Sequence, residues 1–278
     1  MDHWQWAAYG KHPVANDYLS LGKGSPLFQI FSDWVKNGYQ SLTLRKGSAS
    51  PLYSWRFWIK GAKRDSLICG LVRDSSDKLG RPYPFLLMGL GSLPEWQDQW
   101  DLVPLACDRS WSQLEYMATK TSKDLKQLED EIAKIKPPSP QWTEFLEERK
   151  GLMESVTISR GPGPSDCQDG PLREGISDNP VPDWYFKEFS HMAPDLSERT
   201  EAFFCFDGKL CPDHLTLVDV WHLFLKSHLP GLPNAVFIGG AADNLCAAVF
   251  RRPLLPADFI QLWSFHGGSG VSLEKEKN

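Results

Sequence analysis

The chain has 278 residues, 41% of them hydrophobic, with a formal net charge of -5 and a pI near 5.8. That length and apolar content suffice for one large or two small cores, while the acidic balance and the lack of a strong basic run argue against a nucleic-acid partner. The opening MDHWQWAAYG is not a charged leader with an apolar core, no apolar stretch approaches the roughly twenty residues that span a bilayer, and Cys69, Cys107, Cys167, Cys205, Cys211 and Cys246 are scattered without a C-x-x-C pair. These features predict a cytoplasmic protein with free thiols and no direct membrane insertion. Twelve Trp favour a well-packed domain and allow for an interaction surface.

In chain order, an opening strand leads into a loop around Gly10 to Tyr18. Ser25 and Pro26 then form an N-cap and first-turn pair, and Leu27, Ile30, Phe31, Trp34 and Val35 recur at helical spacing. Trp55, Phe57 and Ile59 alternate with Arg56, Trp58 and Lys60, which predicts a half-buried strand. Its hairpin partner is Leu67 to Val72, followed by a DSSDKLG turn and an apolar strand that begins at Phe85, because Pro82 and Pro84 cannot donate to a ladder. A long helix is predicted from near Asp108 or Ser110, with the stripe Leu114, Met117, Leu125, Leu128, Ile132 and Ile135 and a polar gap from Ala118 to Asp124. It ends at the PPSP tract of 137–140. A short helix over Trp142 to Met153 precedes Ser159 to Pro182, whose Gly, Pro, Ser and Asp content predicts a mobile loop. Order resumes near Trp184. Glu201 to Phe206 then reads as a strand, with a turn at Asp207 and Gly208. A helix capped by Asp213 or Thr216 follows, buried through Val220, Trp221, Phe224 and Leu225, and then come strands at 234–238 and 245–250 and a helix over Pro256 to Trp263.

Alternating helices, hairpins and isolated strands predict an α/β fold: a mixed β-sheet covered by helices in a three-layer sandwich, with a long helix and a disordered loop after it. Because the C-terminal part supplies only three strands, residues 1–266 are read as one domain and 267–278 as a disordered tail.

The segment between the hairpin and the apolar strand resembles the TagF family of type VI secretion accessory proteins. That family carries a WRF segment followed by G-x-x-x-x-S-x-D-x-x-G-R-x-[FY]-P, answered here by Gly70, Ser75, Asp77, Gly80, Arg81, Tyr83 and Pro84. Its opening loop, G-K-x-P-x-x-G-D-[FY], is answered by Gly10, Lys11, Pro13, Asp17 and Tyr18. Asn16 replaces the usual Gly, a residue tolerant of the positive φ such a turn would use. The likeness is strongest over residues 1–115. It implies an α/β sandwich and a noncatalytic, post-translational negative regulator of type VI secretion assembly, acting by binding a cytoplasmic forkhead-associated-domain scaffold protein. Some family members carry a fused PP2C-type phosphatase domain, and this chain shows none of its acidic metal motifs.

Charge placement offers an alternative. Lys11 and Asp17 in one loop and Asp77 and Arg81 in another are able to converge on a phosphate or carboxylate, which would make this a small-anion-binding or hydrolytic α/β domain. The commoner outcome is an Asp and Arg that satisfy each other and the turn backbone. A structural adaptor of the secretion apparatus is the third reading. GKHP is not a P-loop, and Gly267-Gly268-Ser269-Gly270 is not a nucleophile elbow. Cys211, His214 and His222 lack metal-ligand spacing, and nothing selects Cys205 with His214 or His222 as a nucleophile and base. No catalytic group, cofactor or metal is expected. Arg56 and Trp58, opposite Trp55 and Phe57, complete the candidate partner surface with Lys11, Asp17, Asp77 and Arg81 if their face of the sheet is open.

Overall fold

The computed structural model describes residues 4–22, 25–43, 52–120, 122–160, 183–192, 195–206, 213–241 and 244–265. Of the predicted loop over 159–182, residues 159–160 end a helix and 161–182 lie outside the described residues, as do the turn at Asp207 and Gly208 and the 267–278 tail. Eight strands, β1 (Gln5–Gly10), β2 (Leu19–Gly22), β3 (Tyr53–Lys60), β4 (Ser66–Arg73), β5 (Phe85–Ser92), β6 (Glu201–Phe206), β7 (Ala235–Ala241) and β8 (Leu245–Phe250), form one sheet in the order β2-β1-β5-β4-β3-β7-β8-β6. Every neighbouring pair is antiparallel, so the helix-covered sheet is as expected but its strands are not mixed in direction.

Helices cover both faces, which produces the expected three layers. Helices α1 (Pro26–Thr43) and α7 (Pro256–Leu262) pack on one face, over Trp55, Phe57, Val72, Leu86, Phe237 and Phe250. Helices α2 (Val103–Thr119), α3 (Leu125–Ile132), α4 (Trp142–Arg160), α5 (Asp183–Met192) and α6 (His214–His228) bury the other face, which carries Trp58, Leu71, Leu87, Val236, Val249 and Phe204. Burial on both faces explains why β4 and β5 read as continuous apolar runs and not as an alternation.

Caps act as the sequence indicates. The Phe28 amide donates to Ser25 Oγ at 3.2 Å, and the Thr216 amide donates to Asp213 Oδ2 at 2.9 Å. Within α1, Phe28, Phe31, Trp34 and Val35 are buried, but Ile30 is 59% exposed, so the helix faces the sheet one position round from the predicted stripe.

The predicted long helix is two. A 3-10 turn at Trp100–Leu102 leads into α2, which starts at Val103 and stops when Lys120 adopts an extended backbone (φ -71°, ψ 141°). Asp124 then caps α3 by accepting from the Gln127 amide at 2.8 Å. The chain therefore leaves the α2 direction at Lys120, a corner that lets Leu128 and Ile132 fold back onto the layer that buries Leu114 and Met117. Lys120 Nζ ties the corner shut against Glu131 Oε1 at 2.7 Å. Strand β2, helix α5 and the extension of α4 to Arg160 are further elements that the sequence pattern did not mark.

Gly70 sits where β4 has no room for a side chain. A Cβ there would lie 2.4 Å from Phe57 Cζ and 2.5 Å from the Leu87 carbonyl oxygen. Because one of those neighbours is backbone, Gly70→Ala should destabilise by about 1–3 kcal/mol, read by urea denaturation.

Candidate functional site

Pairing of β1 with β5 places Gly10 opposite Phe85, so the loop after β1 and the loop before β5 lie side by side at one end of the sheet. Asp77 joins them. Its Oδ1 accepts from the amides of Leu79 and Arg81, each at 3.0 Å, while Oδ2 accepts from Arg81 Nε at 2.7 Å and faces Lys11 Nζ at 3.1 Å. Burial alone would raise this carboxyl, but the Arg81 and Leu79 amides and the Lys11 and Arg81 cations hold it at about 2. Arg81 reaches further. Its Nη2 donates to the Asn16 carbonyl at 2.6 Å and lies 3.7 Å from Asp17 Oδ1, and the Lys78 amide donates to the Ala15 carbonyl at 2.8 Å. Gly80, at φ +77°, closes the turn by donating to the Asp77 carbonyl. Asn16 does not use a left-handed conformation: among the described residues only Glu95 and Asp195 do so outside glycine. What the loop takes from Asn16 is its carbonyl.

Lys11, Asp17, Asp77 and Arg81 are thus brought together, with their charges consumed by one another. Two cations meet two carboxylates, and both buried members, Lys11 and Asp77, face each other. A site built for an anion would aim an uncompensated cation or a set of free amides outward, whereas here the amides of Leu79 and Arg81 point at Asp77. Asp77→Ala should accordingly lower the thermal midpoint and speed amide exchange at Leu79 and Arg81, because it orphans two donors and a buried lysine.

The opening loop and the 74–84 turn, joined through Asp77 and Arg81 into one knot, hold an aromatic cluster. The buried Tyr83 ring is approached by Tyr18, Tyr39 and Tyr9 at centroid distances of 4.7, 4.9 and 6.2 Å, and Lys11 Nζ sits 5.0 Å from the Tyr18 centroid. Tyr39 also donates to the Pro82 carbonyl at 3.3 Å, which ties α1 to the turn. On the outside, Tyr18 is 55% and Leu79 69% exposed, beside the exposed Asp17 and Arg81. Tyr18 reads from sequence as a motif position but not as part of the candidate surface, and Leu79 is not singled out. Their exposure follows from the turn geometry and has no signature in residue order.

Arg56 and Trp58 belong elsewhere, and Trp58 is a correction. Its face of β3 is covered, by α2 and α6 and not by the N-terminal helix, so Trp58 is wholly buried and donates through Nε1 to His222 Nε2 at 3.1 Å. His222 Nδ1 lies 2.8 Å from the Val218 carbonyl; with Nε2 accepting, Nδ1 must carry the proton. Both nitrogens are engaged, so His222 is not placed to serve Cys205 as a base. Arg56 is half-buried and pairs with Glu115 on α2 through Nε and Nη2 at 2.7 and 2.8 Å.

A second charged cluster joins residues far apart in the chain. Arg149 on α4, itself buried, donates from Nε and Nη2 to the Asp219 carboxylate at 2.7 Å each, and from Nη1 to Asp101 Oδ2 at 2.6 Å. Asp101 also pairs with Lys226. Each of these residues, read locally, is an ordinary helix-surface charge, so nothing in the sequence selects the set. Among the described residues no group of His, Cys, Asp and Glu is arranged to hold a metal ion, and no helix is long and apolar enough to cross a membrane.

Residues 7–135 match the TagF N-terminal domain, described as type VI secretion system-associated. The match spans β1 to β5 with α1, α2 and α3, and so includes the whole knot. No curated protein matches the chain. A solved structure, that of PA0076 from Pseudomonas aeruginosa PAO1, is similar at 25% identity over 48% of this chain and 63% of the other, with a TM-score of 0.39.

Proposed function

Taking residues 7–135 as a TagF N-terminal domain, we propose that the protein is a noncatalytic regulator of type VI secretion that acts after translation by binding a cytoplasmic forkhead-associated-domain scaffold protein. The observation that carries this reading is the knot: a charge-paired turn that displays Tyr18 and Leu79 to solvent beside Arg81 and Asp17. An exposed tyrosine and leucine rimmed by an arginine and a carboxylate fit a protein contact better than a catalytic centre. A held scaffold is withheld from assembly, so regulation works by occupancy and needs no reacting group. The pairing of all four knot charges weighs against a small-anion site.

Co-expression with the scaffold of the same secretion system, followed by size-exclusion chromatography with light scattering, tests the binding. A co-eluting complex is expected. Leu79→Asp should abolish it while leaving the unfolding midpoint within a degree or so, since the Leu79 side chain is largely exposed and contributes little to stability. Separate peaks for the native chain would remove the scaffold from the proposal. In cells, deletion should raise secretion. Lowered secretion would make the protein an adaptor, and unchanged secretion under every condition of expression would end the regulatory reading.

A further inference from the structure

We propose that Cys205 and Cys246 are a site of reversible disulfide formation, independent of the partner surface at the knot. The two residues are 41 apart in sequence, and register brings them directly opposite each other on β6 and β8. Which kind of pair they form follows from one hydrogen bond. The Arg251 amide donates to the Thr200 carbonyl at 2.7 Å, which makes 200/251 a hydrogen-bonded pair in the ladder. Pairs alternate along an antiparallel ladder, so 201/250, 203/248 and 205/246 are non-hydrogen-bonded pairs, whose Cα atoms approach to roughly 4.5 Å. That separation falls within the range that a disulfide spans, about 4.4–6.8 Å. The two Sγ atoms are already 3.1 Å apart.

Access separates this pair from the other cysteines that the structure describes. β6 is an edge strand, paired among the described strands with β8 alone, and Cys205 is only partly buried there. Cys69 and Cys107 also neighbour each other, but both are fully buried at the centre of a core and no oxidant reaches them. Cys205 is therefore the attacking sulfur and Cys246 the resolving one. Burial followed by its contact with Cys205 pushes the Cys246 thiol well up, so it reacts once the intermediate is in place and not before.

The oxidant would be a low-molecular-weight disulfide of the glutathione type. The Cys205 thiolate attacks one of its sulfurs to form a mixed disulfide and releases one small thiol. Cys246 then gives up its proton to solvent and attacks Cys205 Sγ, releasing the second. Two protein thiols are oxidised and one small disulfide is reduced to two thiols. The new bond would fasten the edge strand to its neighbour.

The test uses the full reduced chain treated with oxidised glutathione, then acid-quenched, alkylated under denaturing conditions and mapped by peptide mass. The expected product is a Cys205–Cys246 cross-linked peptide, with Cys69 and Cys107 recovered alkylated. Cys246→Ser should convert that product into a stable glutathione adduct on Cys205, an outcome that a purely structural cysteine would not yield. An unmodified Cys205, a persistent glutathione adduct on the unsubstituted chain, or a bond from Cys205 to any other cysteine would overturn the proposal.

Discussion

Arg149→Met should lower the unfolding free energy by about 3–5 kcal/mol, the cost typical of removing one partner from a buried ion pair. The guanidinium donates to Asp101 and Asp219 at once, and among the described residues Asp219 has no other cation in contact. Met fills much of the same volume, so the loss comes from stranding a fully buried carboxylate and not from opening a cavity. The double variant Arg149→Met with Asp219→Leu supplies the control. Replacing both ends of a buried pair by apolar groups is often neutral or stabilising, so the second substitution should recover most of the loss. Asp101 remains paired with Lys226 throughout. Equilibrium denaturation of the two variants and the parent decides the matter, and a single-variant loss under about 1 kcal/mol would show that the cluster is solvated. The structural consequence is specific: Arg149 is the tie that holds α4 against α6 and the 3-10 turn, so its loss should also increase amide exchange in α4 before it does so in the sheet.

Stability should fall on acidification through the protonation of His222. Burial between Trp58 and Trp221, in a fully enclosed position, depresses its pKa from 6.5 to about 3. The folded chain thus keeps His222 neutral where the unfolded chain would bind a proton. Its contribution is present in full above pH 6.5 and is lost as pH falls from 6.5 towards 3. At 1.36 kcal/mol per unit, the loss is about 2 kcal/mol by pH 5 and approaches about 5 near pH 3. Protonation would also turn Nε2 from the acceptor of the Trp58 indole N–H into a competing donor. His12 is shifted down as well, again by burial first, and adds to the trend in the same direction. His222→Gln should therefore flatten the pH dependence between 7 and 5 without abolishing it. Asp77, held below the usual carboxylate range by the Arg81 amide and its cations, and Asp101, held down by Arg149 and Lys226, act at lower pH, while Asp108 and Asp219, pushed up by burial, oppose the trend equally in both chains. Urea midpoints at pH 5, 6 and 7 for both chains provide the comparison, and parallel curves would mean that His222 titrates in the fold as it does in water.

Reading the residues in order was enough for most of the elements, because the elements depend on local rules. Ser25 before Pro26, Asp213 three residues before Thr216, and the ban on Pro82 and Pro84 in a ladder are short-range constraints, and α1, α6 and β5 begin where those constraints place them. The knot was legible for a related reason: Asp77 and Arg81 are four residues apart in one turn, so their pairing hardly depends on the rest of the fold. The chain order also sufficed for the resemblance over the first part of the molecule. Only the tertiary structure decided which side chains meet across the sheet and which are left in water. Period-two alternation states that Trp58 and Trp55 point to opposite faces, but not whether one face is bare. That depended on α2 and α6 packing over it, and it turned Trp58 from a surface candidate into the donor to His222. Arg149, Asp101 and Asp219 are separated by 48 and 70 residues, and Cys205 and Cys246 by 41, so each pairing is a product of helix docking or strand register. Such contacts form only after chain closure has been paid for by burial elsewhere, and no propensity confined to a short window can carry them.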